Sequence, residues 1–379
     1  MTPHATTGYD AHSHTPPADS SEERAGAPEQ RFTHASVLGT GAWGTTFAHI
    51  LSQAGLTVSM WGRNEGVVDF INSHENSTYL PGVTLSDAIN ATTDIRQCIQ
   101  DSNLLCIAVP VGAVRATLEQ ATPALDPDAT LLSLAKGLEL DTLRTVHSVI
   151  CEATGFAPTS VAVMSGPNLS REIADRQPTA TVVACEDIER ATMIARTCHT
   201  STFRPYVSGD VLGCEIAGAV KNVIAVAIGA AEGMGLGINT RATLITRGLA
   251  EMTRLGTTLG ASADTFAGLA GIGDLVATCS SKLSRNYSLG VRMGRGASLD
   301  EALELSPGVV EGVRSALPIL QLARAHDVDM PITESVVRVV HDGDSIEHMG
   351  QMLMSRPQKM DGWAHRTAVN RGIRGRPRQ

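Results

Sequence analysis

Apolar positions along this chain change rhythm once, near residue 208. Before it they come in short clusters: Ala35–Leu38, Thr57–Trp61, Asn103–Val109, Thr130–Ala135, Val161–Met164, Ala180–Cys185 and Phe203–Val207. Clusters of this length, punctuated by Gly, Pro and Asn, predict strands, and Asn103–Val109 and Thr130–Ala135 predict buried ones. Helical spacing falls between them at about 42–54, 111–121 and 188–198. Strands alternating with helices predict a doubly wound sheet covered on both faces. After Ser208 strand signals nearly vanish. Helical spacing then occupies about 209–231, 240–259, 285–294, 312–326, 333–341 and 346–354, separated by Gly-rich turns. The fold class predicted is α/β, with a sheet domain in residues 32–207 followed by an all-helical domain in residues 208–356. Residues 1–31 are rich in Pro, Ser, Thr and Glu and predict a disordered leader. Residues 357–379 carry six basic residues and one acid without apolar periodicity, and predict a basic flexible tail.

The first strand runs into Gly39-Thr40-Gly41-Ala42-Trp43-Gly44 and then into a helix. In this setting GxGxxG points to a dinucleotide. Gly39 allows the tight turn, Gly41 lets the backbone approach a pyrophosphate, and Gly44 lets helix and strand pack closely. The helix start adds free N–H groups for phosphate. The sheet domain is thereby predicted to be Rossmann-like and to bind the nucleotide. The second strand ends in Trp61-Gly62-Arg63-Asn64. Arg63 stands where an NAD site places a carboxylate, which favours NADP, while Glu65 nearby leaves NAD open. Lys136-Gly137 and Ser165-Gly166-Pro167-Asn168 each follow a strand. Both fall at the carboxyl edge of the sheet, where ligands bind. A surface lysine in a turn is the plainer reading of Lys136.

In the helical half, Ile216–Ala231 holds one charged side chain, Lys221, and one other polar one, Asn222. No face of that helix is polar, so it should be buried all round. An ammonium there is costly unless paired, and its pKa falls toward the range useful for proton transfer. Glu215, six residues earlier, is off the helical spacing that would pair it. The apolar segment Phe266–Ala277 offers Asp274 as a partner, on Gly271-Ile272-Gly273-Asp274-Leu275, which is expected to be a flexible turn. A helix cap is the alternative role for Asp274. Ser284-Arg285-Asn286 stands at a helix start, where Arg and free N–H groups clamp phosphate. An ordinary surface charge is the alternative for Arg285. Val309-Val310-Glu311-Gly312 reads as an apolar turn with one carboxylate.

Composition sharpens the lysines. Of 30 Lys+Arg only four are Lys, so Arg serves wherever a generic positive charge suffices. Arg keeps its proton and Lys can lose it, which points to Lys-specific chemistry at Lys136 and Lys221. A net charge of -9 argues against nucleic acid as a partner. Seven Cys lack CxxC and Cys/His ligand spacing, so neither disulfides nor a metal site is expected, in keeping with a cytoplasmic location. The apolar runs are too interrupted to span a membrane, so no integral membrane contact is expected. Base rates of symmetry favour a homodimer.

From about Ala35 to Pro357 the chain resembles the bacterial NAD(P)-dependent glycerol-3-phosphate dehydrogenases. The matching segments are GTGAWGTTFA, WGRN, YLPGV, AKGLE, SGPN, GAVKNVIAVA, INTRATLITRGLAEM, GLAGIGDLVATC, SRNYSLG, VVEGV and MPIT. The resemblance implies reversible reduction of dihydroxyacetone phosphate to sn-glycerol 3-phosphate, a glycerophospholipid precursor. It implies nucleotide contacts at Ala42, Trp43, Arg63, Ser170, Val309 and Glu311. Lys136 would touch both cofactor and substrate, and Gly166 and Asn168 would line the substrate site. Lys221 would be the proton acceptor. Asp274, Ser284, Arg285 and Asn286 would bind glycerol phosphate, with Arg285 reaching both ligands. Ala42, Asn168 and Ser170 depart from the residues common in relatives, which affects contacts and not the reaction. Ketopantoate reductase or UDP-glucose dehydrogenase chemistry on the same plan is the rival enzymatic reading. The latter needs an activated Cys, and Cys214 and Cys279 have apolar neighbours. A nucleotide sensor without turnover would need no buried lysine.

Overall fold

The computed structural model describes residues 32–306 and 308–357; the expected leader and all but the first residue of the expected tail lie outside the described residues. Eight strands form one sheet: β1 (His34–Leu38), β2 (Thr57–Trp61), β3 (Ile89–Thr92), β4 (Leu104–Ile107), β5 (Thr130–Ser133), β6 (Val161–Ser165), β7 (Thr179–Ala184) and β8 (Phe203–Ser208). Their order is β3-β2-β1-β4-β5-β6-β7-β8. All neighbours are parallel except β6 and β7, which are antiparallel, so β7 and β8 run against the rest. The order reverses beside β1, leaving the carboxyl ends of β1 and β4 flanking a crevice. The apolar runs do not predict β3. It is a four-residue edge strand with one buried side chain, Ile89, so it lacks the pattern that marks the others.

No strand follows Ser208 among the described residues. The helix Val211–Gly233 opens this half and is buried on every side, as its all-apolar circumference requires. Among the described residues it is the one helix long and apolar enough to cross a membrane, and 89% of that window is buried within the protein. Asp210 caps it, accepting from Gly213 N at 2.9 Å. Glu215 is engaged away from Lys221. Its carboxylate accepts from His147 N at 2.7 Å, at the start of the helix Val146–Thr154. Glu251 likewise caps the helix Pro331–His341 through Ile332 N and Thr333 N, at 2.6 and 3.2 Å.

The helix Arg285–Gly294 lies directly on Val211–Gly233, and glycines make the crossing. Gly229 and Gly233 face one helix and Gly290 and Gly294 face the other, four residues apart on each. A Cβ on Gly290 would stand 2.1 Å from the Val226 carbonyl oxygen, and one on Gly229 2.1 Å from that of Tyr287. Backbone therefore meets backbone, which only glycine permits. The contact fixes the start of the second helix, with Arg285 and Asn286, relative to Lys221. Gly290→Ala is expected to destabilise the fold by at least ~2 kcal/mol through overpacking against immovable backbone. Urea unfolding measures it, and an unchanged midpoint would show that the crossing has slack.

Candidate active site

The glycine loop follows β1, and its three glycines meet three different demands. Gly39 has φ +126° and packs against Ala108, where a Cβ would be 2.8 Å from the carbonyl carbon. A Cβ on Gly44 would collide with the Gly39 carbonyl oxygen at 2.1 Å. Gly41 faces open space, with nothing within 4 Å of the Cβ position. Gly41 is also the N-cap of the helix Ala42–Gln53 and supplies no side-chain cap. The first N–H groups of that helix thus point at an open, glycine-cleared surface, the arrangement that accepts a diphosphate. The Trp43 indole N–H is buried without a hydrogen-bond partner in the described structure. These features fit a dinucleotide. Arg63 is exposed just beyond β2, and Asn64 beside it caps the next helix by accepting from Val67 N at 3.1 Å.

The lysines meet at one carboxylate. Lys221 Nζ donates to Asp274 Oδ1 at 2.5 Å and to Thr278 Oγ1 at 2.7 Å. Lys136 Nζ donates to Asp274 Oδ2 at 2.6 Å and to the Gly166 carbonyl at 3.1 Å. Lys136 follows β5 and reaches across to the helical half because Gly218 lets its stem pass: a Cβ there would be 3.3 Å from Lys136 Cδ. Asp274 is 1% exposed and Lys221 7%. The segment carrying Asp274 is not the flexible turn expected. Leu269–Gly273 is a π-helical turn, and Asp274 begins the helix Asp274–Ser280. A Cβ on Gly271 would lie 2.1 Å from the Phe266 carbonyl oxygen, so the turn is packed tight.

Burial lowers the Lys221 pKa to about 8, against the pull of Asp274, which raises it. Burial pushes the Asp274 carboxyl up, but the two ammoniums outweigh it and hold it below the usual carboxylate range. An ammonium has three N–H donors, and Lys221 uses two on Asp274 and Thr278. One remains for a substrate oxygen. Ser165 Oγ and Asn168 Oδ1 are buried beside this cluster with no hydrogen-bond partner in the described structure. Asn168 donates from its other amide atom to Thr181 Oγ1 at 3.0 Å.

A second arm links the Lys221 helix to the other expected residues. Asn286 Nδ2 donates to Asn222 Oδ1 at 2.8 Å, and Asn286 Oδ1 accepts from Gly312 N at 2.8 Å. Glu311 is not in a turn: it is the first residue of the helix Glu311–Ala325, with Val310 its N-cap and Val309 just before. Arg285 and Glu311 feel each other's charge. Burial lowers the Arg285 pKa and raises that of Glu311, and each opposes the shift of the other. Ser284 is half committed, because its hydroxyl caps the Arg285 helix by accepting from Tyr287 N at 3.3 Å. Ser170 begins the helix Ser170–Ala174, and its carbonyl accepts from Thr46 of the glycine-loop helix at 3.4 Å. Thr278 and Asn222 join the site without having been singled out for it. The spacing Asp274-x-x-x-Thr278 puts both side chains on one helix face, a signal available in hindsight. A separate groove of about 1970 Å³ lies among helices of the second half, and none of the expected site residues lines it. Among the described residues no group of His, Cys, Asp and Glu could hold a metal ion.

The sequence and the fold both match known proteins. A family model described as the N-terminus of NAD-dependent glycerol-3-phosphate dehydrogenase matches residues 34–191, and its C-terminal counterpart matches residues 210–351. A Streptomyces griseus protein named as an NAD(P)+ glycerol-3-phosphate dehydrogenase is 51% identical over 326 residues, spanning 86% of this chain and 97% of its own. One from Corynebacterium kroppenstedtii is 50% identical over 328 residues, spanning 86% and 99%. The crystal structure of a glycerol-3-phosphate dehydrogenase from Coxiella burnetii superposes with a TM-score of 0.82 at 34% identity, covering 86% of this chain and 99% of that one.

Asp274→Asn removes the shared counter-charge and leaves two ammoniums facing a neutral amide. The Lys221 titration midpoint should drop below about 8, because the main charge holding it up is lost. Breaking a buried pair of this kind should also cost about 3 kcal/mol of stability. Carbon-13 NMR of the Lys side chains reads the first and urea unfolding the second; an unmoved midpoint would mean that Asp274 does not set the charge of Lys221.

Proposed function

We propose that this chain, which belongs to the NAD-dependent glycerol-3-phosphate dehydrogenase family, catalyses reversible reduction of dihydroxyacetone phosphate to sn-glycerol 3-phosphate. The observation that carries the reading is the Lys136–Asp274–Lys221 cluster, with Asp274 and Lys221 buried, at the edge of a sheet whose glycine loop fits a dinucleotide. The cofactor, NADP with NAD as the second choice, supplies the hydride when bound. Gly39, Gly41, Ala42, Trp43, Gly44 and Arg63 would hold it, with Lys136, Ser170, Arg285, Val309 and Glu311. The division of labour broadly follows the chain: residues 32–207 supply most of the nucleotide contacts, and residues 208–356 add Arg285, Val309 and Glu311 to them and complete the substrate site.

Lys221 uses its remaining N–H to give a proton to the ketone oxygen as negative charge develops there. In the reverse direction the neutral amine takes the hydroxyl proton. Lys136 adds fixed positive charge beside the forming alkoxide, in a site dry enough for that charge to count. Asp274 aims both ammoniums and keeps the cluster at a net single positive charge. Arg285, with Ser284 and Asn286 at the helix start, would take the phosphate. Gly166 and Asn168 would line the carbon skeleton. This reading has the protein in the cytoplasm as a homodimer, supplying a precursor of glycerophospholipids, with no nucleic acid partner and no integral membrane contact.

Two outcomes test it. Lys221→Arg keeps the charge but cannot exchange a proton near neutral pH, so kcat should fall at least ~100-fold. In the wild type, ketone reduction needs the ammonium and should decline as pH rises through about 8, while glycerol 3-phosphate oxidation needs the amine and should increase there. Turnover of Lys221→Arg near the wild-type rate, with flat pH profiles in both directions, would remove Lys221 from the chemistry. Separately, Arg63→Asp should move the ratio of kcat/KM for NADPH over NADH toward NADH by at least about ten-fold. An unchanged ratio would show that Arg63 does not read the 2′-phosphate.

A further inference from the structure

Asn76 lies outside every residue so far assigned a role, yet it is 0% exposed and polar on both ends. It belongs to the segment between the helix Glu65–Asn72 and β3, far in sequence from the glycine loop. Its Nδ2 donates to the Thr40 carbonyl at 3.0 Å and to Thr45 Oγ1 at 2.8 Å. Thr45 Oγ1 donates to the same Thr40 carbonyl at 3.3 Å. The Asn76 Oδ1 accepts from Tyr79 N at 3.1 Å, and its backbone carbonyl accepts from Leu80 N at 2.8 Å. One side chain therefore satisfies a loop carbonyl on one side and closes a turn on the other.

The consequence for the loop is electrostatic. Thr40 is the residue between Gly39 and Gly41, and its carbonyl is an acceptor within the very segment that has to receive an anion. Its side chain is pinned as well, since a Cβ on Gly62 would sit 2.5 Å from Thr40 Oγ1. A carbonyl turned toward a diphosphate would repel it. Held by two donors from the protein interior, the carbonyl faces inward and the uncapped N–H groups of the helix Ala42–Gln53 face out. Buried amide networks of this kind fix one arrangement because any unpaired member is costly. The tie also runs outward: the segment Asn76 anchors is held at Pro81, whose carbonyl accepts from Arg171 Nη1 at 2.5 Å, next to Ser170.

We infer that Asn76 is a positioning residue for cofactor binding: it turns the Thr40 carbonyl away from the diphosphate and locks the 76–81 segment beside the glycine loop. The inference rests on the dinucleotide reading of that loop. Asn76→Asp keeps the shape, loses the donor and places a carboxylate behind the anion site. Its NADPH Kd, read by isothermal titration calorimetry on the full chain, should rise at least about ten-fold. Thr45→Val, which deletes the relaying hydroxyl and keeps the volume, should raise it about three-fold. In both, the KM for dihydroxyacetone phosphate and kcat at saturating NADPH should stay within about two-fold, because neither side chain approaches Lys221. If Asn76→Asp does not fold, Thr45→Val carries the test alone. A folded variant with wild-type NADPH affinity overturns the inference, and so does a uniform loss of kcat and both KM values that tracks a lowered Tm. A wild-type protein that binds neither NADPH nor NADH would instead sink the reading of the loop itself.

Discussion

The structure turns on one carboxylate shared by two ammoniums. Asp274 takes Lys221 on one oxygen and Lys136 on the other, and all three come from segments distant in sequence. Neither Asp274 nor Lys221 would stay charged alone in this setting. A lone buried carboxylate takes up a proton and a lone buried lysine gives one up. Together they stay charged, and the surplus single positive charge is left where a ketone oxygen needs it. The same contact joins the sheet to the helical half, so the closure of the site and its electrostatics are one interaction.

Around that centre the protein relies on backbone more than on side chains. The diphosphate surface consists of N–H groups and cleared space at Gly41, not of lysines. Lys136 reaches its partner because Gly218 stays out of the way. Asn286 grips the backbone N–H of Gly312, where a Cβ would strike the Asn222 carbonyl oxygen at 2.4 Å. Lys136, Lys221 and Asp274 are each bound at two or more points, which suits an acidic chain that has to receive anionic ligands.

Much of this is legible in the sequence, and the failures have physical causes. Apolar clusters mark β1, β2 and β4 to β7, each with three or more buried residues, and aromatic and β-branched residues mark β8, an edge strand with one buried residue. Ile89–Thr92 escapes because its one buried residue, Ile89, stands without the aromatic residues that mark β8. Short helices such as Ile95–Ile99 and Ser170–Ala174 are too brief for a period to show. The reversal at β7 cannot be read from a run that looks the same in either direction. At the site, Lys221 stands out because burial contradicts charge, and Asp274 because it interrupts an apolar segment. Thr278 and Asn222 do not, since a threonine or asparagine on a helix is ordinary until its neighbours in space are known. For Asp274 the pattern yields the right partner on the wrong local structure: the glycines before it read as looseness, where they allow a tight π-helical turn.

The glycine crossing of the helices Val211–Gly233 and Arg285–Gly294 has a metrical effect. Side chains at an interface can swing between rotamers and absorb an ångström of change, but peptide groups in contact cannot. The separation of the two backbones, from Lys221 to the Arg285 end of the second helix, is consequently set by peptide groups in contact. Any accommodation there therefore falls to the long side chains of Lys221 and Arg285 and not to the backbone that carries them.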